Sequence, residues 1–241
     1  MTTALARAPL YARVESILTA RIADGGWPPG HMLPSEIELA AELGVSQGTV
    51  RRALDAMVRR HMVERRQGSG TFVAQHTSER ALFHFFRLTG LSGSASTPTS
   101  HVLALGNAGA DAVEARRLKL ARRAPVRRIR RLRMLGGVAR ILEWITLPGD
   151  LLGDFSLPVG RDMEDELYVL YQRRHGVSVA RAEDFLSAIT ATAEAAQLLG
   201  ITAGAALLRV ERVAFDLNGR PVEWRVSVVD TRSLRYRVAL E

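Results

Sequence analysis

Two serines, Ser35 and Ser46, each open a short helical pattern, and a single glycine closes the gap between them. Glu38 lies three residues after Ser35, the pairing in which each side chain satisfies a free backbone amide at a helix start. The pattern runs from Glu36 to Leu43 and meets Gly44, at the C-terminal position where a positive φ is tolerated. Val45-Ser46 follows at once and starts the next helix. Val50, Leu54, Met57 and Val58 form its apolar stripe, which predicts an end near Arg60-His61. Upstream, Tyr11, Val14, Ile17, Leu18 and Ile22 recur at helical spacing. They predict a helix over 10–24, stopped by Gly25-Gly26 and followed by a rigid turn at Trp27-Pro28-Pro29-Gly30. Downstream, Met62 to Arg66 and Gly70 to Ala74 alternate around Gln67-Gly68-Ser69, which predicts a small hairpin. Three helices followed by a hairpin predict a winged helix-turn-helix.

In that arrangement the second helix of the pair lies in the major groove, with its N-terminal residues on base edges. Those residues are Ser46, Gln47, Gly48, Thr49, Arg51 and Arg52. Ser46 and Thr49 suit phosphate, as does the helix N-terminus itself. Arg51 and Arg52 suit phosphate or guanine, and the Gln47 amide suits adenine. Arg65 and Arg66 lead into a wing tip at Gln67-Gly68, placed for backbone or minor groove.

Charge does not single out this segment. The net charge of the 241 residues is +8. Residues 1–76 hold nine Arg against seven acids, while 77–150 hold thirteen Lys or Arg against five. The order of elements therefore carries the expectation of DNA binding, not the overall balance. The chain has no cysteine, which excludes disulfides, thiolate metal sites and a Cys nucleophile. The absence fits a reducing, cytoplasmic setting. Met1 to Pro9 lacks the long apolar stretch of a signal peptide, and no run approaches the about 18 residues of a membrane span. The six histidines show no i, i+4 pair, so neither a metal site nor a catalytic triad is expected.

Beyond Val73 the pattern changes. His76 to Arg80 reads as a linker, which divides the chain into a reading domain, 1–76, and a second domain, 77–241. Phe83 to Leu88 is strand-like and Thr89 to Ser100 a loop. Val126 to Leu135 and Val138 to Leu147 are strands around the Gly136-Gly137 turn. Asp162 to Arg174 reads as a helix with Leu167, Leu170 and Tyr171 on one face. Val177 to Thr190 reads as a strand, and Ala191 to Leu199 as a short helix closed by Gly200. Leu207 to Asp216 and Pro221 to Val229 flank Asn218-Gly219, the strongest hairpin dipeptide, and Arg235 to Leu240 suits a last strand. The fold class is α+β, with a mainly antiparallel sheet. Arg131 and Arg133, two apart, share one strand face, and two guanidinium groups on one face make an anion site. Arg116, Arg117, Arg122 and Arg123 read as solvated surface.

Residues 9–74 resemble the GntR family of bacterial transcription regulators. The matching pieces are Pro9-Leu10-Tyr11, Pro29-Gly30, Leu33-Pro34-Ser35-Glu36, Gly44-Val45-Ser46, Thr49-Val50-Arg51 and the run Arg65 to Val73. The resemblance adds Ser35 and Glu36 to the DNA-facing set. It also marks a departure: the family usually has Arg after the Val-Ser pair, where this chain has Gln47.

The second domain resembles the HutC branch, whose UTRA effector domain is similar in fold to chorismate lyase. The pieces are Arg131-Leu132-Arg133, Glu143 with Leu147-Pro148, Leu167-Tyr168, Arg181-Ala182-Glu183, Leu198-Leu199-Gly200, and Asp216 with Gly219 to Glu223. The resemblance implies effector contacts at Arg131, Arg133, Glu143, Tyr168 and Glu223; for Glu143 and Glu223 sheet-surface ion pairs are the alternative. Where sugar-phosphate-sensing relatives carry Ser before the Leu-Tyr pair, this chain has Glu166, and a carboxylate repels a phosphate. Asp230-Thr231-Arg232 reverses the order of Arg and Asp in many relatives. Lys119 is the only lysine, which removes the pyridoxal-binding, aminotransferase-like branch. The resemblance implies a homodimer on a pseudo-palindromic DNA operator, repressing until a small-molecule effector binds, with no cofactor and no membrane partner. A lyase-like enzyme and an effector-less DNA binder are the alternatives.

Overall fold

The computed structural model describes residues 8–77, 85–91, 97–151 and 153–238. The chain forms two compact units, Met1–Gln75 with Leu217–Arg220, and His76–Asp216 with Pro221–Glu241.

In the first unit, helix α1 spans Leu10–Ala23, α2 Glu36–Leu43 and α3 Gln47–Arg59. Strands β1 (Val63–Arg66) and β2 (Gly70–Val73) form the wing. Ser35 and Glu38 make the reciprocal capping pair, and Gly44 ends α2 at φ 62°. Ser46 caps α3 by accepting from the Thr49 amide at 3.3 Å. Val14, Leu18 and Ile22 of α1 pack with Leu39 of α2 and with Val50, Leu54 and Met57 of α3. Tyr11 and Ile17, expected in the α1 stripe, stay exposed. Ile17 lies off the buried face, about 100° round the helix from Leu18, whereas Tyr11 is in line with Leu18 but sits in the first turn.

The wing register is Val63↔Val73 to Arg66↔Gly70, with Gly68 at φ 71° in the tip. The turn before α2 joins this sheet edge: Gly30 donates to the Val73 carbonyl and Leu33 to that of Thr71. A Cβ at Gly30 would come within 2.8 Å of the Gln75 amide. That side-chain end can move aside, so what favours glycine here is its φ of 82°.

The second unit is built on a six-stranded sheet in the order β4-β5-β6-β9-β8-β7, with every neighbouring pair antiparallel. The strands are β4 (Thr99–Gly109), β5 (Pro125–Leu135), β6 (Val138–Pro148), β7 (Val179–Thr190), β8 (Ala206–Asp216) and β9 (Pro221–Val229). Helix α4 (Ala112–Leu118) follows β4, α5 (Leu167–His175) precedes β7, and α6 (Ala193–Leu199) follows it. Helix α5 and Phe155 bury one face against Ile129, Ile145, Leu147 and Ala214. Helix α6 packs on the opposite face against Leu142, Leu207 and Val228. The short β3 (Leu88–Gly90) and β10 (Leu234–Tyr236) pair with each other.

Four expectations change here. The predicted loop Thr89 to Ser100 contains part of β3 and the start of β4, while 92–96 lie outside the described residues. The predicted strand Phe83 to Leu88 is helical at Phe85 and extended only from Leu88, and 83–84 lie outside the described residues. Strand β3 exists because Leu234–Tyr236 pairs with it, a partner far along the chain. The helix predicted from Asp162 begins instead at Leu167. Gly160 and Met163 donate to the carbonyls of Val102 and Ser100, so this stretch lies along the free edge of β4. The last strand ends at Tyr236 rather than Leu240, and residues 239–241 lie outside the described set. Of the linker, 78–80 also lie outside it.

Candidate nucleic-acid interface and ligand cavity

The start of α3 and the wing present the expected DNA-facing side chains together. Ser46, Gln47, Gly48, Arg51 and Arg52 are exposed, as are Arg65, Arg66, Gln67 and Gly68 of the wing. Thr49 is half-buried and lies 2.9 Å from the Ser46 hydroxyl. Ser35 is occupied as a cap, its oxygen accepting from the Glu38 amide at 3.2 Å. Glu36, next to it, accepts from Arg51 Nε at 2.9 Å, from Gln47 Nε2 at 3.3 Å and from Arg65 Nη2 at 3.4 Å. The Arg51 hydrogen bond, against a smaller opposing effect of burial, holds the Glu36 carboxyl below its ordinary value. Arg66 pairs with Glu64 and lies over the Phe72 ring, 4.3 Å from its centre. Asp55, which the sequence does not advertise, bridges to Arg65 at 2.7 Å. Its signal is position, one helical turn beyond Arg51 on the same face of α3.

On the α5 face of the sheet, the β-sheet register gathers charge. Arg131 lies opposite Glu143, which lies opposite Ser227. Arg212 lies opposite Arg225 on one side and Asp184 on the other. Glu143 accepts from Arg131 Nε at 2.5 Å, Ser227 at 3.0 Å and Arg225 at 3.4 Å. Glu223 accepts from Arg225, Tyr168 and Tyr171. Arg212 makes paired bonds to Asp184 at 2.7 and 2.6 Å. Burial opposes ionisation of Glu143, but Arg131, Arg225 and Arg133 outweigh it, so its carboxyl lies well below the usual range. Burial raises the hydroxyl pKa of Tyr168 and Tyr171, and the Glu223 charge adds to this, so both stay protonated donors.

Beside this network is a cavity of about 60 Å³, bordered by Phe85, Phe86, Arg133, Glu143, Glu166, Tyr168, Arg212, Arg225, Ser227 and Tyr236 among others. Of the five sequence-expected ligand residues, Arg133, Glu143 and Tyr168 border it. Arg131 and Glu223 do not: both are fully buried behind it as partners of Glu143 and of Tyr168. Two-residue spacing put Arg131 and Arg133 on one face, but Arg131 lies nearer the sheet centre, where Glu143 takes it up. Glu166, at the N-terminus of α5, pairs with Arg133, and Phe86 stacks on that guanidinium at 4.8 Å. Burial pulls Arg133 below its ordinary value, against the pull of Glu166, and among the described residues its Nε has no hydrogen-bond partner. The sequence reading missed Arg212, Arg225, Ser227 and Tyr236. The signal for Arg225 was its two-residue spacing from Glu223, which sets both on one strand face. Arg117, expected as free surface, instead bridges to Glu211 at 2.6 Å and lies over Phe185. The reversed Asp230-Thr231-Arg232 forms its own cluster, with Arg232 and Arg140 both on Asp230.

Among the described residues no helix is long and apolar enough to cross a membrane. Nor does any group of three or more His, Asp or Glu among them suit a metal ion.

A winged helix with arginines and an amide on its reading face, in one chain with a sheet domain holding a charged cavity, defines a one-component DNA-binding regulator. The model for bacterial regulatory proteins of the gntR family matches residues 10–73, and that for the UTRA domain matches 94–235. The chain belongs to the GntR family of bacterial transcription regulators, in the HutC branch that carries a UTRA domain. This is a family of regulators, not enzymes, which sets aside the lyase-like alternative. The chain is 28% identical over 237 residues to the HTH-type transcriptional regulator SmoD of Agrobacterium fabrum, covering 95% of this chain and 94% of that one. It is 28% identical over 221 residues to the HTH-type transcriptional repressor NagR of Bacillus subtilis, covering 91% and 90%. The crystal structure of PhnF from Mycobacterium smegmatis matches 95% of this chain and 99% of its own, with a TM-score of 0.56 and 26% identity.

Proposed function

We propose that this regulator is a repressor whose affinity for its operator changes when a small molecule enters the cavity at Arg133. The observation that carries the effector half is a buried guanidinium, its Nε without a hydrogen-bond partner among the described residues, at a cavity also bordered by Glu143 and Tyr168. Arg131 and Glu223 support the site from behind by holding Glu143 and Tyr168 in place. Ligand pockets are commonly of the order of 300–1,000 Å³. The present space of about 60 Å³ suits a few waters. Effector entry therefore requires side chains to move, and that movement is the differential contact through which a ligand alters another site. Glu166 on Arg133 disfavours a phosphate there. Repression is in keeping with the similarity to the repressor NagR, and its relief by effector is the sign that the family resemblance implies.

The DNA contacts in this reading are Ser46, Gln47, Gly48, Thr49, Arg51 and Arg52 from α3, and Arg65, Arg66, Gln67 and Gly68 from the wing. Ser35 and Glu36 support them from α2. The reading domain is residues 1–76 and the effector and dimerisation domain 77–241. The protein works as a homodimer on a pseudo-palindromic duplex in the cytoplasm, since paired heads match two-fold half-sites.

The test is a thermal-shift screen followed by an operator-binding assay. A saturable stabilising compound that weakens operator binding supports the reading. One that tightens binding overturns the sign. The small, internally paired cavity favours a second reading, a DNA binder without effector, and a broad library with no stabilising compound supports that instead.

A further inference from the structure

Glu36 opens α2, yet its carboxylate engages the other two elements of the reading head. It accepts from Gln47 and Arg51 of α3, and from Arg65 of the wing. Arg65 also reaches Asp55 of α3 at 2.7 Å. One carboxylate thus joins α2, α3 and β1. Two of the exposed guanidinium groups, those of Arg51 and Arg65, meet an acid within the protein before any duplex arrives.

We propose that Glu36 is a positioning residue for sequence discrimination, which presets Gln47, Arg51 and Arg65 and penalises duplexes that offer these donors only phosphates. The inference rests on the DNA-facing assignment made above. A cognate site supplies base-edge acceptors to side chains already in pose. A non-cognate duplex supplies phosphate charge, and the unreleased carboxylate repels it. Removing that charge raises non-specific affinity more than specific affinity.

The experiment uses the full chain. A duplex is selected from a randomised pool with the wild-type protein, and binding to it and to a shuffled duplex is measured across a salt series. Wild type, Glu36→Gln, Glu36→Asp and Arg51→Ala are compared, each with its melting temperature. Glu36→Gln is expected to bind the shuffled duplex more tightly, with a log–log salt slope steeper by about one, the change for roughly one added phosphate contact. Its selected-to-shuffled affinity ratio is expected to fall about tenfold. Glu36→Asp keeps the charge and is expected to keep the wild-type slope. If the pool enriches a sequence and Arg51→Ala weakens its binding while Glu36→Gln leaves ratio and slope unchanged, Glu36 is structural only and this inference fails alone. A pool without enrichment, or Arg51→Ala binding as wild type does, overturns the DNA-facing assignment and this inference with it.

Discussion

The Tyr171 hydroxyl donates to Glu223 across 2.8 Å, from the helix that covers the sheet to the strand beneath it. Both residues are fully buried. The carboxylate also holds Tyr168 and Arg225, so one buried anion ties α5 to the wall of the cavity. Tyr171→Phe removes a neutral-to-charged bond without changing the packing. The expected cost is about 1.5–3 kcal/mol, read from urea denaturation. An unchanged midpoint would show that Glu223 is satisfied without it.

Arg131 and Glu143 form an ion pair with almost no solvent contact. Removing one partner strands a charge, while removing both strands less. Arg131→Met is expected to cost about 3–5 kcal/mol, and adding Glu143→Leu to recover part of that loss. A double variant no more stable than the single would mean that Glu143 was not the stranded group.

Ser46 caps α3 through the Thr49 amide. Ser46→Ala is expected to lower stability by about 1 kcal/mol, and Ser46→Asp to preserve it, since Asp caps as well. On DNA the order differs: the added negative charge in Ser46→Asp weakens operator binding despite intact folding. Anisotropy titrations beside melting curves separate the two effects, and Ser46→Asp binding as tightly as wild type would place Ser46 away from phosphate.

Gln47 stands where the family resemblance leads one to expect Arg, and its amide already reaches Glu36. Gln47→Arg is expected to shift base preference at one symmetric position per half-site, by about 1–3 kcal/mol. Selection from a randomised pool reads this directly; identical consensus sequences for both proteins would mean that Gln47 does not read bases.

Asp230 titrates at about 2, below its ordinary 3.8, chiefly because Arg232 hydrogen-bonds it, against the effect of burial. A depressed carboxyl stabilises the fold above its unfolded value, and the contribution fades as pH falls through the folded value. Stability is therefore expected to decline between about pH 4 and pH 2, with a shallower decline in Asp230→Asn. Parallel denaturation profiles for the two proteins would remove Asp230 from the acid response.

The sequence by itself determined the features whose causes lie within a few residues. The Ser35–Glu38 capping pair, the left-handed stop at Gly44, the cap at Ser46 and the turns at Gly136-Gly137 and Asn218-Gly219 are local chemistry, and the structure has each of them. Period two along β5 likewise placed Arg131 and Arg133 on one face. Tertiary structure alone decided which charge meets which. Arg225 meets Glu143 and Arg133 meets Glu166 because β6 pairs with β9 and α5 lies across them, partners far apart in the chain. The same holds for β3, extended because β10 lies beside it, and for Asp162, drawn from a predicted helix to the edge of β4. A periodic pattern records which face of an element is buried. It holds no record of the neighbour, and a buried guanidinium takes its role from that neighbour.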